Sequence, residues 1–428
     1  MPSRSSFFSK GFIREMLDQG RTVDRVRLLG RLEEMSRIGA LENGGVCRLA
    51  LSPEETEAKA RLIGWAQSLG CVAYVDDIGN LFLRLGGADS TDAPVLVGSH
   101  LDTQPVGGNF DGVLGVIAAL ECLEIMVRQD EHAFTPVEVA VWCNEEGARF
   151  NPTTMGSAVH VGHFPLGKAL AVTDTSGQSV KASLQQSTAS LRTAGIDLSH
   201  RDLGAGYKAY VELHIEQGPI LENESVGIGV VTDVQGLVQY RVEVSGVAGH
   251  AGAVPMEGRA DALTSARALM AELDAELGAF GGLRFTVGRI NVAPGSINTI
   301  PAKAEFTLDV RHPDPQVLSQ ASQRVETLCA HAQLTRLIYQ APIPFDAGIV
   351  RTIEQVTERY EVSSRRIVSG ATHDAAHVAA ICPTGMIFVP CRGGISHNEN
   401  EYCEPDDVVQ GAQILAETIM ALARRPAQ

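Results

Sequence analysis

At 428 residues the chain is longer than one hydrophobic core usually supports, so about two domains are expected. Apolar residues make up 44% of the sequence and charged residues 20%, a composition that excludes a disordered or collagen-like chain. The formal net charge of −16 argues against a basic surface for nucleic acid or anionic lipid, and a small molecule is the better expectation for a partner.

The sequence pattern predicts a cytoplasmic protein. Residues 1–20 lack the apolar core of a signal peptide, and no apolar run approaches the roughly 18 residues that span a bilayer. The eight cysteines are scattered without a C-x-x-C pair, so neither a disulfide framework nor a zinc ribbon is indicated. A reducing compartment and no membrane partner are therefore expected.

Predicted elements in the first half of the chain alternate between helix and strand. Apolar spacing predicts one helix over residues 23–37 and a second that Ser52 caps and that runs to about Gly70. Strands are predicted at residues 72–75, 81–85, 95–97 and 137–143, with a long helix over 112–127. The alternation predicts an α/β catalytic domain whose largely parallel mixed sheet is flanked by helices. The polar stretch 173–190 is interpreted as a surface excursion.

The pattern changes after Gly236. A strand with alternating Val242 and Val244 is followed by a helix at 259–277, strands at 283–292 and 304–310, a helix at 315–332 and a strand at 334–339. This β-α-β-β-α-β order is that of a ferredoxin-like α+β sandwich. Because a further strand at 386–389 resumes the first pattern, we predict a discontinuous catalytic domain of residues 1–235 and 344–428. The inserted domain would comprise residues 236–343.

Polar segments of the first domain lie just after its predicted strands. They carry His100 with Asp102, Asp111, the adjacent Glu145 and Glu146, His214, and His397. Each alone is more typical of a cap, a solvated loop or a structural side chain. Ligands of open α/β sheets bind at the carboxyl ends of the strands, so the collection of these segments at strand ends indicates one joint site.

The composition of this predicted site indicates its chemistry. Three histidines and two or three carboxylates, without a thiolate, suit a pair of divalent cations held by nitrogen and oxygen ligands. That is the arrangement of two-metal hydrolysis. Of the adjacent carboxylates Glu145 and Glu146, one would bind a cation while the other acts as general base toward water.

Longer phrases carry a specific resemblance that covers nearly the whole chain. They are GSHLDTQPVGGNFDGVLGVIAALE (98–121), CNEEGARFNPTTMGS (143–157), VELHIEQGPILE (211–222), VAGHAGAVPMEGRADA (247–262) and GGISHNENEY (393–402). These phrases resemble those of the hydantoinase/carbamoylase amidases, a family of binuclear-metal hydrolases. The family includes N-carbamoyl-L-amino-acid hydrolases, allantoate amidohydrolases and β-ureidopropionases, and it is similar in fold to di-zinc aminopeptidases and deacylases.

The resemblance implies a role for each residue of the predicted site. It implies two divalent cations per subunit, one held by His100 and His214, the other by Glu146 and His397, with Asp111 bridging both. Asp102 would orient His100, and Glu145 would be the general base. The ligand set accepts Zn, Mn, Co or Ni, so the identity of the metal stays open.

Further residues match the family's polar substrate-binding positions, namely Gln217, His250, Asn298 and Arg311. The Arg311 guanidinium would grip a substrate carboxylate through two parallel hydrogen bonds, although an ion pair with Asp309 or Asp314 is the alternative. Thr372 departs from the family, whose members read S-G-A-G-H-D-A where this chain reads S-G-A-T-H-D-A. A β-branched residue there would narrow the pocket or add a hydroxyl contact.

The resemblance implies hydrolysis of the linear ureido C–N bond of a small carboxylate, with release of CO2 and ammonia. N-carbamoyl-L-amino acids, allantoate and β-ureidopropionate all present the required groups. The resemblance also implies that the inserted domain is a lid and forms a homodimer, with His250 reaching the neighbour's active site. Two alternatives remain open: a di-metal aminopeptidase or N-deacylase, and a non-catalytic binding protein that keeps the fold.

Overall fold

The computed structural model describes residues 21–86, 92–129 and 134–425, so residues 1–20, on which the signal-peptide prediction rests, lie outside it. The described residues divide into two compact units. The first contains those up to Thr232 and from Phe345 onward, and the second is Asp233–Pro344. The second unit is therefore inserted between two segments of the first. No described helix is long and apolar enough to cross a membrane.

Helices and strands alternate through much of the chain. The described helices longer than one short turn are α1 (Arg25–Ser36), α2 (Pro53–Ser68), α3 (Val113–Met126), α4 (Met155–His160), α5 (Leu166–Ala171), α6 (Val180–Thr193), α7 (Ile220–Glu224), α8 (Ala262–Leu277), α9 (Pro315–Leu328), α10 (Ala347–Arg359), α11 (Asp374–Val378) and α12 (Pro405–Ala423). The strands are β1 (Val72–Val75), β2 (Leu81–Leu85), β3 (Val95–His100), β4 (Val137–Trp142), β5 (Ser199–His200), β6 (Ala209–Ile215), β7 (Ile228–Val234), β8 (Gly236–Ser245), β9 (Gly249–His250), β10 (Arg284–Ala293), β11 (Thr299–Ile300), β12 (Lys303–His312), β13 (Gln333–Gln340), β14 (Ile343–Pro344), β15 (Ser364–Ser369) and β16 (Thr384–Val389).

A ten-stranded mixed sheet is the largest sheet in the described residues. Its strands follow the order β14-β7-β16-β6-β3-β4-β2-β1-β5, and β15 pairs with β7. The neighbours β16, β6, β3 and β4 run parallel, so their carboxyl ends lie at one edge of the sheet. Every residue of these four strands is buried, as expected for strands covered on both faces. The predicted α/β class with a largely parallel sheet is confirmed.

Helix α3 is the central helix of this sheet. It packs against β3 and against α12, and nearly all of its residues are buried, which explains why its sequence is apolar on every side. The predicted cap of α2 is also present, since Ser52 Oγ accepts the amide hydrogen of Glu55 at 3.2 Å. Both helices were predicted from the sequence, α3 over residues 112–127 and α2 from the Ser52 cap to about Gly70.

The second unit contains a four-stranded antiparallel sheet in the order β10-β12-β8-β13. Helices α8 and α9 pack on it and share a core with alternate residues of β12, whose other residues are only half-buried. This is the burial pattern of a sheet that is covered on one face. The longer elements occur in the order β8-α8-β10-β12-α9-β13, and the two-residue strands β9 and β11, which were not predicted, pair with each other.

The expectation of a surface excursion over residues 173–190 was wrong in part. Much of this stretch belongs to α6, where Ser179 Oγ accepts the amide hydrogen of Ala182 at 3.2 Å. Val180 and Leu191 are buried on one side of this helix. Serine and glutamine at its other positions hide the apolar spacing, so the sequence pattern alone favoured a loop.

Candidate metal centre and active site

The predicted ligands meet at the carboxyl edge of the four parallel strands. His100 ends β3, His214 lies on β6, and the Glu145-Glu146 pair follows β4. His397 lies in the loop after β16. Because these strands are adjacent and parallel, they bring together side chains that are far apart in the sequence.

His100, Asp111 and His214 form the first of two candidate cation clusters. Their ligand atoms lie within 4.8 Å of one another, with Asp111 Oδ1 3.4 Å from His100 Nε2 and 3.1 Å from His214 Nε2. The other ring nitrogen of each histidine faces a backbone carbonyl at 2.9 Å, that of Asp102 for His100 and that of Ile215 for His214. Donation from Nδ1 to these carbonyls places a lone pair on each Nε2. That of His214 accepts the Gly112 amide hydrogen at 3.3 Å, a contact that a cation would replace.

Asp111, Glu146 and His397 form the second cluster. His397 Nε2 is 3.6 Å from Asp111 Oδ2 and 3.3 Å from Glu146 Oε2. Asp111 therefore takes part in both clusters, and each of its oxygens faces one of them. Whereas the first cluster is buried, the side chain of His397 is 48% exposed, so the second cluster is open to solvent on one side.

The electrostatics of the site fit a pair of cations. Burial, reinforced by the charge of Asp111, raises the pKa of Glu146 to about 8. Burial also raises the pKa of Glu145 well above its ordinary value. Burial opposes the charged form of His100, but the carboxylates of Glu145, Asp111 and Asp102 outweigh it and raise the pKa of that imidazole. Several carboxylates crowded away from water are costly unless positive charge offsets them, and nitrogen and oxygen donors are what divalent cations bind.

The Asp102 side chain binds the backbone of the Glu145-Glu146 turn. Its two carboxylate oxygens accept the amide hydrogens of Glu145 and Glu146, at 3.1 and 3.2 Å. Its Oδ1 is 3.8 Å from His100 Nδ1, beyond hydrogen-bond distance, and the backbone carbonyl of Asp102 orients that ring instead. The Asp102 side chain thus fixes the turn that carries Glu145 and Glu146, and the implied orientation of His100 by Asp102 stays a prediction.

The turn before α3 depends on a glycine. Gly112 has a φ of +67°, and a Cβ atom there would lie 2.4 Å from the ring of His100. Left-handed φ values also occur at Asn144, Gln217 and His397, of which none is a glycine. Such conformations cost of order 1–3 kcal/mol and persist where the surrounding structure imposes them.

The interpretation of the sequence missed three polar residues that hold the ligands. Gln104 Nε2 donates to Glu146 Oε2 at 2.8 Å. Ser396 Oγ donates to Asp111 Oδ2 at 2.7 Å. Glu401 Oε1 accepts the amide hydrogen of Asp111 at 3.0 Å. Gln104 and Ser396 lie within two residues of predicted site residues, which was the available signal.

The predicted substrate residues are divided between the units. Gln217 lies in the first unit, where its Nε2 donates to Asp111 Oδ2 at 2.7 Å. Thr372, also in the first unit, precedes His373, whose ring centroid is 4.5 Å from that of His214. Thr372 therefore belongs to the loop beside the first cluster.

The other three substrate candidates lie in the second unit. His250 on β9 pairs with Thr299 on β11, and Asn298 accepts the amide hydrogen of Ala251 through its backbone carbonyl at 2.9 Å, so His250 and Asn298 are neighbours. Arg311 is near the end of β12, where its Nε donates to Asp309 Oδ1 at 2.7 Å. The ion pair considered as an alternative for Arg311 is thus present.

A largely parallel sheet with two candidate cation clusters at its carboxyl edge is typical of one class, the metal-dependent hydrolases of α/β fold. Residues 96–421 match the family described as peptidase family M20/M25/M40, and the chain belongs to that family. The expectation that it is an enzyme, a hydrolase, is confirmed.

Relatives of known name and structure specify the resemblance. The chain is 37% identical over 419 residues to an N-carbamoyl-L-amino-acid amidohydrolase of Rhizobium meliloti, which covers 95% of this chain and 98% of the relative. It is 36% identical over 406 residues to an N-carbamoyl-L-amino acid amidohydrolase of Geobacillus stearothermophilus, covering 93% and 98%. An amidase of the hydantoinase/carbamoylase family from Burkholderia multivorans has a similar structure, with a TM-score of 0.86, 39% identity and coverage of 95% and 99%. The resemblance to hydantoinase/carbamoylase amidases is confirmed.

Proposed function

We propose that the chain hydrolyses the linear ureido C–N bond of an N-carbamoyl-L-amino acid or a related ureido carboxylate such as allantoate or β-ureidopropionate. The observation that carries the proposal is the pair of clusters that share Asp111, with Glu145 Oε2 3.5 Å from His100 Nε2 and assigned to neither cluster. The names of the similar proteins direct this hydrolytic centre toward a carbamoyl group.

The residues that would hold two cations are those of the two clusters. His100 and His214 would hold one, Glu146 and His397 the other, and Asp111 would join both. Zn, Mn, Co or Ni suits these donors, and when bound such cations polarise a carbonyl and lower the pKa of water.

Glu145 would then move the proton. Its carboxylate would take a proton from the water that attacks the carbamoyl carbon and return it to the departing nitrogen. Burial raises the pKa of Glu145, which is the direction expected for a carboxylate that accepts a proton and later returns it. The products would be the free amino acid and a carbamate, which decays to CO2 and ammonia. Arg311 would bind the substrate carboxylate, and Gln217, His250, Asn298 and Thr372 would contact the rest of the substrate.

We also propose a homodimer through the second unit. Thr299, the partner of His250, lies four residues before Lys303, the first residue of β12. Arg311 lies eight residues beyond Lys303 on the same strand, so the strand alone separates Lys303 from Arg311 by roughly 26 Å. A ureido carboxylate is much shorter than this separation. The distance therefore favours a site in which Arg311 of one protomer and His250 and Asn298 of the other contact the same substrate, with the second unit as a lid.

The proposal includes two further expectations, one on the cellular compartment and one on catalytic activity. The eight cysteines are free, which supports a reducing compartment such as the cytoplasm. Intact ligands and a general base at one site favour an enzyme over a non-catalytic binding protein.

Ammonia release from a panel of substrates tests the proposed reaction. The panel contains an N-carbamoyl-L-amino acid, allantoate, β-ureidopropionate and a dipeptide, each assayed after chelation and after addition of Mn, Co, Ni or Zn. We expect cation-dependent ammonia release from at least one ureido carboxylate and no cleavage of the dipeptide. Cleavage of the dipeptide alone would establish the aminopeptidase alternative, and inactivity toward all four would refute the proposal.

A further inference from the structure

Two side-chain amides contact the two carboxylates of the second cluster. Gln104 Nε2 donates to Glu146 Oε2 at 2.8 Å, and Gln217 Nε2 donates to Asp111 Oδ2 at 2.7 Å. In both contacts a side-chain amide donates to a carboxylate oxygen that faces His397. The number of donors at each oxygen distinguishes them.

A carboxylate oxygen offers two lone-pair positions. Asp111 Oδ2 accepts two hydrogen bonds of 2.7 Å, one from Gln217 and one from Ser396 Oγ, so both of its positions are in use. Glu146 Oε2 accepts a single hydrogen bond, from Gln104, among the described residues. A cation could therefore bind Glu146 with Gln104 in place, whereas binding to Asp111 Oδ2 requires that one donor move away.

Gln217 is the donor that has to move. Its Nε2 also lies 3.5 Å from His397 Nε2, so the amide contacts two of the three ligand atoms that a cation in the second cluster would join. Ser396 Oγ is itself 3.3 Å from Gln217 Nε2, and it can turn its one hydrogen from Asp111 to Glu401 Oε2, at 3.1 Å, without being displaced. The side-chain carbonyl oxygen of Gln217, Oε1, is buried and accepts no hydrogen bond from the described residues. Movement of the Gln217 side chain away from Asp111 therefore breaks no hydrogen bond at Oε1.

We propose that Gln217 competes with the second cation for Asp111 Oδ2, and that entry of this cation releases the Gln217 amide toward the substrate. The proposal rests on the two-cation centre of the proposed function. Since the same amide is assigned to substrate binding, cation and substrate would each favour the binding of the other, as reciprocal linkage requires. Gln104 would have the opposite role, because it holds Glu146 in place for the cation.

Zinc binding to the full-length, metal-stripped protein tests the proposal. Two-step binding of Zn²⁺ is measured by competition with a chromophoric chelator, without substrate, for the wild type, Gln217→Leu and Gln104→Leu. Leucine removes the amide in each variant with little change in size. We expect Gln217→Leu to bind the weaker Zn²⁺ about tenfold more tightly and Gln104→Leu to bind it about 10- to 100-fold more weakly.

An unchanged or weaker second Zn²⁺ affinity in Gln217→Leu overturns the proposal. Circular dichroism of the metal-free variants establishes that they fold, and Gln217→Ala, which also lacks the amide, replaces Gln217→Leu if leucine does not fit. Because no substrate is present, the result does not depend on which ureido carboxylate is hydrolysed. If the substrate panel fails while the two leucine variants shift in opposite directions, the proposed reaction is refuted and the competition is retained.

Discussion

The ligands of the first cluster and the substrate candidates His250 and Asn298 of the second unit are held in opposite ways. His100, His214 and Asp111 are at most 4% exposed and lie at the ends of buried parallel strands or at the start of a buried helix. His250 and Asn298 are exposed, and their side-chain hydrogen bonds run to residues two positions away in the sequence.

This difference shows which part of the site is already formed when the chain folds, before substrate binds. Cation ligands must be placed accurately before any substrate arrives, and packing and hydrogen bonds at the sheet edge achieve this. Substrate contacts can be completed on binding, when exposed side chains lose their freedom. Arg311 is intermediate, because its guanidinium is oriented by Asp309 and yet 30% of its side chain is exposed.

Replacing Glu145 by Gln tests the buried part of the site, the cation ligands and the residues around them, and it is the change from which we expect the largest effect. The change keeps size and removes the proton acceptor, so we expect kcat/KM to fall by about 10²- to 10⁴-fold. The cation content should stay at the wild-type value, since neither cluster includes Glu145. Steady-state ammonia release and elemental analysis measure the two quantities. Wild-type activity in the variant would contradict the assigned role.

Asp102→Asn tests whether the buried half is built by its supporting hydrogen bonds. An amide NH2 would face one of the two amide hydrogens that Asp102 now accepts, from Glu145 and Glu146, so the turn should shift. We expect Zn²⁺ affinity or activity to fall by about 10- to 100-fold. Chelator competition checks the affinity. Asp77→Asn, at an exposed aspartate of the same unit, is the control. If Asp102→Asn matched its control in both measurements, Asp102 would have no supporting role.

Much of this buried half could be predicted from the sequence. The strand runs before His100 and Glu145 are apolar and short, and polar residues follow them at once, so the sheet edge was readable as a site. The Ser52 cap of α2 and the order of elements in the second unit were equally local signals. Where apolar spacing was hidden by serine and glutamine, as in α6, the prediction failed.

The supporting contacts could not be predicted, because they join residues that are distant in the chain. Asp102 accepts amide hydrogens from residues 43 and 44 positions away, and Glu401 accepts the amide hydrogen of Asp111, 290 positions before it. Spacing in a sequence carries no information on such pairs. The same limit applies to Arg311, for which the sequence offered both a substrate contact and an ion pair.

Arg311→Lys tests the more exposed part of the site, the substrate candidates of the second unit. Lysine keeps the charge and loses the two-pronged geometry, so one charge-assisted hydrogen bond to the substrate carboxylate should be lost. We expect KM to rise roughly tenfold with a smaller change in kcat. Arg289→Lys, at an arginine of the same unit whose side chain is 61% exposed, should leave both constants unchanged. Equal kinetics in the two variants would assign Arg311 to its ion pair with Asp309 alone.

His377 offers the smallest effect, and it concerns the stability of the buried half. Its Nε2 lies 3.0 Å from Thr154 Oγ1, and the amide of Thr154 donates to the Glu145 carbonyl at 2.6 Å. Burial, with the neighbouring His163 second, lowers the pKa of His377 to about 4. The unfolded chain therefore takes up this proton first as the pH falls below about 6.5, and the free energy of unfolding should fall by roughly 2 kcal/mol on reaching pH 4.

Both tryptophans, Trp65 and Trp142, lie in the first unit, so their fluorescence reports its unfolding in urea. Between pH 7 and pH 4 the wild type should lose roughly 2 kcal/mol more than His377→Gln, which has no imidazole to protonate. His200→Gln, at a histidine with a 59% exposed side chain, should follow the wild type. An identical pH dependence in His377→Gln and the wild type would show that protonation of His377 is not coupled to folding.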